Sequence, residues 1–267
     1  MLRTFAFSTL LLIFAVPSAP AQGRDGSRFT CDDVGGWNDD RASHCEIRED
    51  TVAGGNPLDV DAGPNGGIRV RGWERSDVLV RARIVGYGDT DTEARQVVSQ
   101  VRLDTGGGQV RARGPERQGD RHWTVSYDIS VPQSAQLTLT TNNGGISVSD
   151  LRGTVRFRAR NGGINLDNVA GDVRGETSNG GISVDLSGDR WEGEGLDVET
   201  HNGGVRVNLP EHYSAELEAG TTNGRLNIDF PVTVQGNVGK HITTTIGGGG
   251  PRIRAITTNG GVSIRRR

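Results

Sequence analysis

The sequence predicts an all-β chain, a single-domain β-solenoid (β-helix) of stacked two-strand rungs of roughly 18–23 residues with Asn-Gly-Gly turns and one short inserted helix. Three observations predict it. Asn-Gly recurs at Asn65, Asn143, Asn161, Asn179, Asn202, Asn223 and Asn259, with spacings of 18, 18, 23 and 21 residues from Asn143 to Asn223. Around each copy apolar and polar residues alternate, as in Val155-Arg156-Phe157-Arg158-Ala159 and Ile164-Asn165-Leu166, the period-2 signature of a strand with one buried face. Finally, 41 glycines with only 33% hydrophobic and 5% aromatic residues leave too few large side chains for a thick, helix-packed core.

The elements follow in chain order. Residues 1–21 carry an early Arg3, an apolar run from Leu10 to Val16 and an Ala19-Pro20-Ala21 ending, which reads as a cleavable secretory signal with the mature chain starting at Gln22. No later stretch reaches the roughly 20 apolar residues of a membrane-spanning helix, so no transmembrane span is expected after cleavage. The expected location is the periplasm or cell surface. In such a compartment Cys31 and Cys45 are expected to form a disulfide that ties the segment 22–50, with residues 51–267 forming the repeat domain. A reactive or metal-binding thiol pair is the competing reading, without the CxxC spacing or paired histidines that would favour it.

Residues Asp91 to Val101 place Ala94, Val97, Val98 and Val101 at helical spacing behind a Thr90 or Asp91 cap. This helix is expected to plug a core end or cover a sheet edge. The repeats then line up column by column. Six residues before each Asn stand Leu137, Val155, Val173, Leu196, Leu217 and Ile253; three after stand Ile146, Ile164, Ile182, Val205, Leu226 and Val262. Each unit is therefore strand, turn, strand, turn. Asn and Gly adopt left-handed angles cheaply, which explains the choice of corner residues. A meander of hairpins would show the same period. The aligned inward columns, with Thr141, Ala159, Thr177, Thr200, Thr221 and Thr257 two before each Asn, favour the solenoid.

The units "TTNNGGISV", "ARNGGINLDNVAGDV" and "TSNGGISVDLSG", with "PNGGIRVRGW" at Pro64 to Trp73 and the closing "IGGGGPRIRAITTNGGVSI", resemble the bacterial putative-adhesin family of β-strand-repeat domains of unknown function. The resemblance spans about Glu46 to Arg265. It implies an exported, non-enzymatic, solenoid-like repeat. The chain departs from the pattern at Asn223-Gly224-Arg225 and in the 36 residues between Asn223 and Asn259, where one unit is hidden and a local distortion is expected.

Candidate chemistry is sparse. The outward columns bring Arg158 opposite Glu176 and Arg174 opposite Asp197, with Glu199 beyond, either a solvated face of weak cross-strand pairs or a binding face for a charged glycan. Asp167 and Asp185 on adjacent rungs are weak candidates for a hard cation; no metal and no cofactor is predicted, and calcium-loop motifs are absent. Trp191 sits in the acidic insertion "SGDRWEGEG", where it either stacks on a partner or folds back over the coil. Glu192 and Glu194 do not define the fixed separation of a carboxylate pair, and the histidines are scattered, so no catalytic residue is assigned. A net charge of −3 gives no support to nucleic-acid binding, and Arg265-Arg266-Arg267 reads as a solvated tail before a patch that grips an anionic polymer.

The expected function is thus a non-catalytic adhesin-like module of the cell envelope, presenting polar and charged ladders to an envelope polymer or protein partner. A scaffold or regulator of envelope stress signalling with one protein partner is the alternative, and a glycan-active β-helix enzyme ranks lowest. Open solenoid ends would also permit end-to-end self-association.

Overall fold

The computed structural model describes residues 29–32, 41–55, 57–231 and 239–267. The expected signal segment and its cleavage point lie outside them. The chain begins with β1 (Ala42–Ala53), β2 (Leu58–Asp61), β3 (Ile68–Trp73) and β4 (Asp77–Gly88), followed by helix α1 (Asp91–Gln100), β5 (Arg102–Asp104), β6 (Gln109–Arg113) and β7 (His122–Pro132). Rungs of one long and one short strand come next: β8 (Gln136–Asn143) with β9 (Ile146–Ser149), β10 (Thr154–Asn161) with β11 (Ile164–Asp167), and β12 (Asp172–Asn179) with β13 (Ile182–Asp185). Then come β14 (Gly195–Asn202) with β15 (Val205–Leu209), β16 (Ala215–Asn223) with β17 (Leu226–Ile228), the single strand β18 (His241–Ile246), and β19 (Arg252–Asn259) with β20 (Val262–Arg266).

Each rung sends its long strand to one sheet and its short strand to the other. Among the described residues the first sheet runs β1-β4-β7-β3-β9-β11-β13-β15-β20-β17 and the second β18-β16-β19-β14-β12-β10-β8-β2-β6-β5. Pairing between rungs is parallel and in register, Val155 opposite Val173 and Leu137, Ile164 opposite Ile182 and Ile146. That excludes the hairpin meander for the repeat. Among the described residues, antiparallel pairs of named strands occur only where the stack ends: β1 on β4, β4 on β7, β5 on β6, and β16 on β18.

The stack does not follow chain order. β19 and β20 lie between the rungs of Asn202 and Asn223, β19 pairing with both β14 and β16 and β20 with both β15 and β17. What the sequence presents as a gap between Asn223 and Asn259 is the edge strand β18 followed by a return of the chain into the stack.

The inward side chains form one continuous core, with Leu139, Phe157, Val198 and Ala255 successive members of one column around Gly175. Gly175 has no side chain because the Phe157 ring occupies its place; a Cβ there would stand 2.4 Å from that ring. Helix α1 closes one end. The Thr90 hydroxyl accepts from the Glu93 amide at 3.3 Å, the Glu93 carboxylate accepts from the Asp89 amide at 3.0 Å, and Ala94, Val97 and Val98 are buried. Arg48 of β1 donates to the Val98 carbonyl at 3.1 Å and to that of Val101, so the helix C-terminus is tied to the neighbouring strand.

Two polar ladders hold the corners. The turn asparagines chain their amides, Asn143 to Asn65, Asn161 to Asn143, Asn179 to Asn161, Asn202 to Asn179, Asn259 to Asn202 and Asn223 to Asn259, at 2.8–3.0 Å. None of these asparagines takes a positive φ; among the described residues the left-handed non-glycine residues are Asp150 and Asn168, at the opposite corner. The expectation of a left-handed Asn corner is corrected accordingly. Beneath the asparagines, the hydroxyls of Thr141, Thr177, Thr200, Thr257 and Thr221 donate to the carbonyl of the first turn glycine one rung away at 2.6–2.9 Å. Ala159 interrupts that ladder, leaving the carbonyl of Gly144 without the matching hydroxyl. Ala159→Thr is therefore expected to raise stability by about 1 kcal/mol, the net worth of one buried hydrogen bond. A urea melt in which the variant is no more stable than wild type would show that this corner has no room for the extra atoms.

Candidate functional site

The structure gathers the sequence-predicted charges on the outer face of the second sheet. Arg158, Glu176 and Glu199 line one shallow hollow of about 660 Å³ together with Arg156, Arg174, Asp197 and Arg254. Their charges are matched within the protein. Arg158 meets Glu176 at 3.0 Å, while Arg174 and Arg156 both converge on Asp172, Arg174 at 2.8 Å. Hydrogen bonding from Arg156, supported by Arg174, holds the Asp172 carboxyl below its usual range. The expected pair Arg174 with Asp197 is not formed, although the two residues are opposite in register. The inserted β19 brings Arg254 within 2.7 Å of Asp197, 3.1 Å of Glu199 and 3.5 Å of Glu218. A ligand on this face would have to displace these pairs.

The outer face of the first sheet is of another kind. Two hollows of about 590 and 660 Å³ share Gly163 and Ile164 and form one groove that runs across the strands. Its floor is the backbone of the second turn glycines, Gly67, Gly145, Gly163, Gly181, Gly204 and Gly261, with Ser147, Asn165, Ser183 and Ser263 alongside. Arg69 on β3 and Arg206 on β15 stand in the same row as these side chains, with Arg83 beside one end of the groove and Arg225 at the other. From β7 to β17 the sheet crosses seven strand spacings, roughly 34 Å at about 4.8 Å each. Sequence reasoning missed this groove because it is made by small residues. The signal was present in the second glycine of each Asn-Gly-Gly and the residue two later, Ser147, Asn165, Ser183 and Ser263, a row interrupted by Arg69 and Arg206.

The other candidates take structural positions. Trp191 is 2% exposed and its indole N–H donates to the Gly171 carbonyl at 2.9 Å. Of its two expected placements the structure shows the inward one, so Trp191 is withdrawn as a binding residue: its ring extends the core and its one polar atom is satisfied inside. Beside it the Glu192 carboxylate pairs with Arg152 at 2.7 Å. Arg265 and Arg266 belong to β20 and Arg267 follows it, its side chain donating to the Leu186 carbonyl at 2.7 Å; all three are exposed, as a solvated tail would be, but they continue the sheet. Lys240 donates to the Thr222 carbonyl at 3.1 Å and His241 lies 3.6 Å from Glu218, both beside the edge. Cys31 and Cys45 are joined in a disulfide with Cα atoms 5.7 Å apart.

Asp167 and Asp185 do stand opposite one another, with Asp185 accepting from the Asn208 amide at 2.7 Å. Among the described residues no group of three His, Cys, Asp or Glu side chains is arranged to hold a metal ion. Partial burial, then the nearby Asp185 and Asp150 carboxylates, push the Asp167 pKa above its usual 3.8, with Arg267 opposing. An acid with a raised folded-state pKa destabilises the fold once ionised. The penalty is absent below the ordinary value of 3.8 and complete above the raised one, so stability from this group falls as pH rises through that window. Asp167→Asn is expected to stabilise the protein at pH 7 by about 0.2–1 kcal/mol, the worth of one like-charge cross-strand contact. Melts across pH should show the gain vanish in acid; a gain independent of pH would assign it to the new amide instead.

The Toastrack DUF4097 family matches residues 86–265. Among solved structures, the chain is similar to "a putative cell adhesion protein" from Clostridium sporogenes, at 14% identity and TM-score 0.42, over 84% of this chain and 100% of that one. It is also similar to "putative lipid binding protein" from Parabacteroides distasonis, at 12% identity and TM-score 0.35, over 84% of this chain and 97% of that one. A third is "a putative adhesin" from Bacteroides fragilis, at 10% identity and TM-score 0.29, over 83% and 97%. No curated protein matches. The residues matched span the inserted helix and every rung from Asn143 onward, and the chain belongs to the Toastrack DUF4097 family.

Proposed function

We propose that this protein is an exported, non-catalytic, adhesin-like module of the bacterial cell envelope, and that the groove across its first sheet holds an extended envelope polymer. The continuity of the two hollows through Gly163 and Ile164 carries the reading, because a trough of that length suits a chain of repeating units better than a small molecule. The hydroxyls of Ser147, Ser183 and Ser263, the Asn165 amide and the Arg206 guanidinium follow one another across the rungs, the chemistry a polyhydroxylated chain needs. The matched charges of the opposite sheet give that face a supporting role.

The test is co-sedimentation of the chain from Gln22 to Arg267 with isolated cell envelopes. Ser147→Trp and Ser183→Trp fill the groove from exposed-face positions and are expected to weaken binding at least tenfold. Arg158→Ala combined with Glu176→Ala, on the other sheet, is expected to leave it unchanged. Recovery of one protein at fixed ratio, unaffected by the two tryptophans, would replace the polymer with the signalling-scaffold reading, and turnover of a polysaccharide would revive the enzyme.

A further inference from the structure

At one end of the groove stands Phe29, and the Cys31–Cys45 disulfide ties its segment, Phe29 to Asp32, to β1. Arg83 of β4 donates to the Thr30 carbonyl at 3.1 Å, a second tie. The Phe29 ring is thereby held with the guanidinium groups of Arg83 and Arg81 5.4 and 5.7 Å from its centre. Phe29, Arg69, Arg83, Ser126, Ser147 and Asn165 all line the same hollow of about 590 Å³. Aromatic surface, hydroxyls, an amide and guanidinium groups therefore converge in one place.

Among the described residues the guanidinium groups at this end differ in their partners. Arg81 pairs with Glu49 at 2.7 Å and Arg69 stands 3.9 Å from Asp128, whereas the contacts of Arg83 among the described residues are the Thr30 carbonyl and the Phe29 ring. Among the described residues Arg83 thus has no carboxylate partner and stands beside an aromatic face. A planar guanidinium with a remaining edge matches a carboxylate, and the ring offers an apolar surface to the C–H face of a sugar.

We propose that this end of the groove is a subsite for a carboxylate-bearing sugar residue, its ring on Phe29 and its carboxylate on Arg83, and that the Cys31–Cys45 disulfide holds the subsite in place. The proposal rests on the groove reading above and narrows it to acidic glycans. Nothing covalent happens to the ligand. The disulfide acts by fixing where Phe29 stands, so its loss should act through Phe29.

The probes are tetragalacturonate and the uncharged maltotetraose, titrated calorimetrically into the oxidised chain from Gln22 to Arg267. The acidic tetramer is expected to bind at least tenfold more tightly than the neutral one. Phe29→Ala and Arg83→Gln should each weaken the acidic probe tenfold or more, Phe29→Tyr should retain binding, and Arg83→Gln should leave the neutral probe unchanged. Cys31→Ser with Cys45→Ser should match Phe29→Ala. Equal binding of the two probes, no binding of either, or wild-type affinity in Phe29→Ala would overturn the subsite. If the subsite fails while Ser147→Trp and Ser183→Trp still abolish envelope binding, the groove reading stands alone; if those variants are also silent, both fall.

Discussion

Gly162→Ala is expected to destabilise the protein by on the order of 3 kcal/mol or more, whereas Gly163→Ala, one residue later, should cost under about 1 kcal/mol. A Cβ at Gly162 would stand 1.9 Å from the Gly144 carbonyl oxygen, 2.5 Å from its carbon and 3.1 Å from the Gly145 nitrogen. All three are backbone atoms, so no change of rotamer relieves the contact. Only separation of the rungs does, and that strains the Gly144 amide bond to the Asn161 carbonyl and the Ile146 amide bond to the Gly163 carbonyl, both 3.0 Å. At Gly163 the nearest atom to a Cβ is the Gly181 carbonyl oxygen at 3.5 Å, an ordinary contact. The chain contains a matching substitution, since Arg225 takes the second-glycine place in the rung of Asn223 while Gly224 keeps the first, where a Cβ would lie 1.7 Å from the Gly260 oxygen. Urea unfolding followed by circular dichroism measures both variants. Equal costs would mean that the turn's backbone angles set the requirement instead of the distance between rungs.

Much of the fold was legible because each rung solves the same problem with the same residue types. Inward Leu or Val six before the Asn, inward Ile or Val three after it and the polar residues between them recur with little variation, and the paired registers of β8 through β15 follow those columns. Repetition conceals the order of the rungs for the same reason. Leu196, Ile253 and Leu217 offer near-identical apolar surface, so hydrophobic matching does not say which is next to which. The glycine requirement was legible as a composition but misread as to cause, because close approach of two backbones depends on the stacking partner. Trp191 was ambiguous since a four-residue neighbourhood of Asp, Arg, Glu and Gly reads as a surface loop, while the carbonyl that accepts from the indole N–H and draws it inward belongs to Gly171, 20 residues away. The floor of the groove is the row of second glycines, where no side chain stands to signal it.

Removing residues 251–267 is expected to unfold far more than one rung. In a solenoid stacked in chain order such a truncation strips one end and leaves the neighbour as the new edge. Here it removes β19 and β20 from between two other rungs. Ile253, Val262 and Ile264 are fully buried, and at about 1.5–3 kcal/mol each their loss amounts to roughly 5–9 kcal/mol, comparable with the whole stability of an ordinary domain at about 5–15 kcal/mol. The expected outcome is that amides of β16 and β18 lose all protection from hydrogen exchange while β8 to β13 retain theirs. The competing outcome is that the rung of Asn223 slides in against the rung of Asn202, keeping β16 protected. Apolar columns would allow it, but the outward charges oppose it. Direct stacking puts Glu218 opposite Asp197, two carboxylates at cross-strand distance, which Arg254 now separates and pairs with both. The same truncation carrying Glu218→Arg should therefore recover protection in β16 if charge sets the rung order. Continued exposure in that double change would assign the order to the path of the chain through β18 instead.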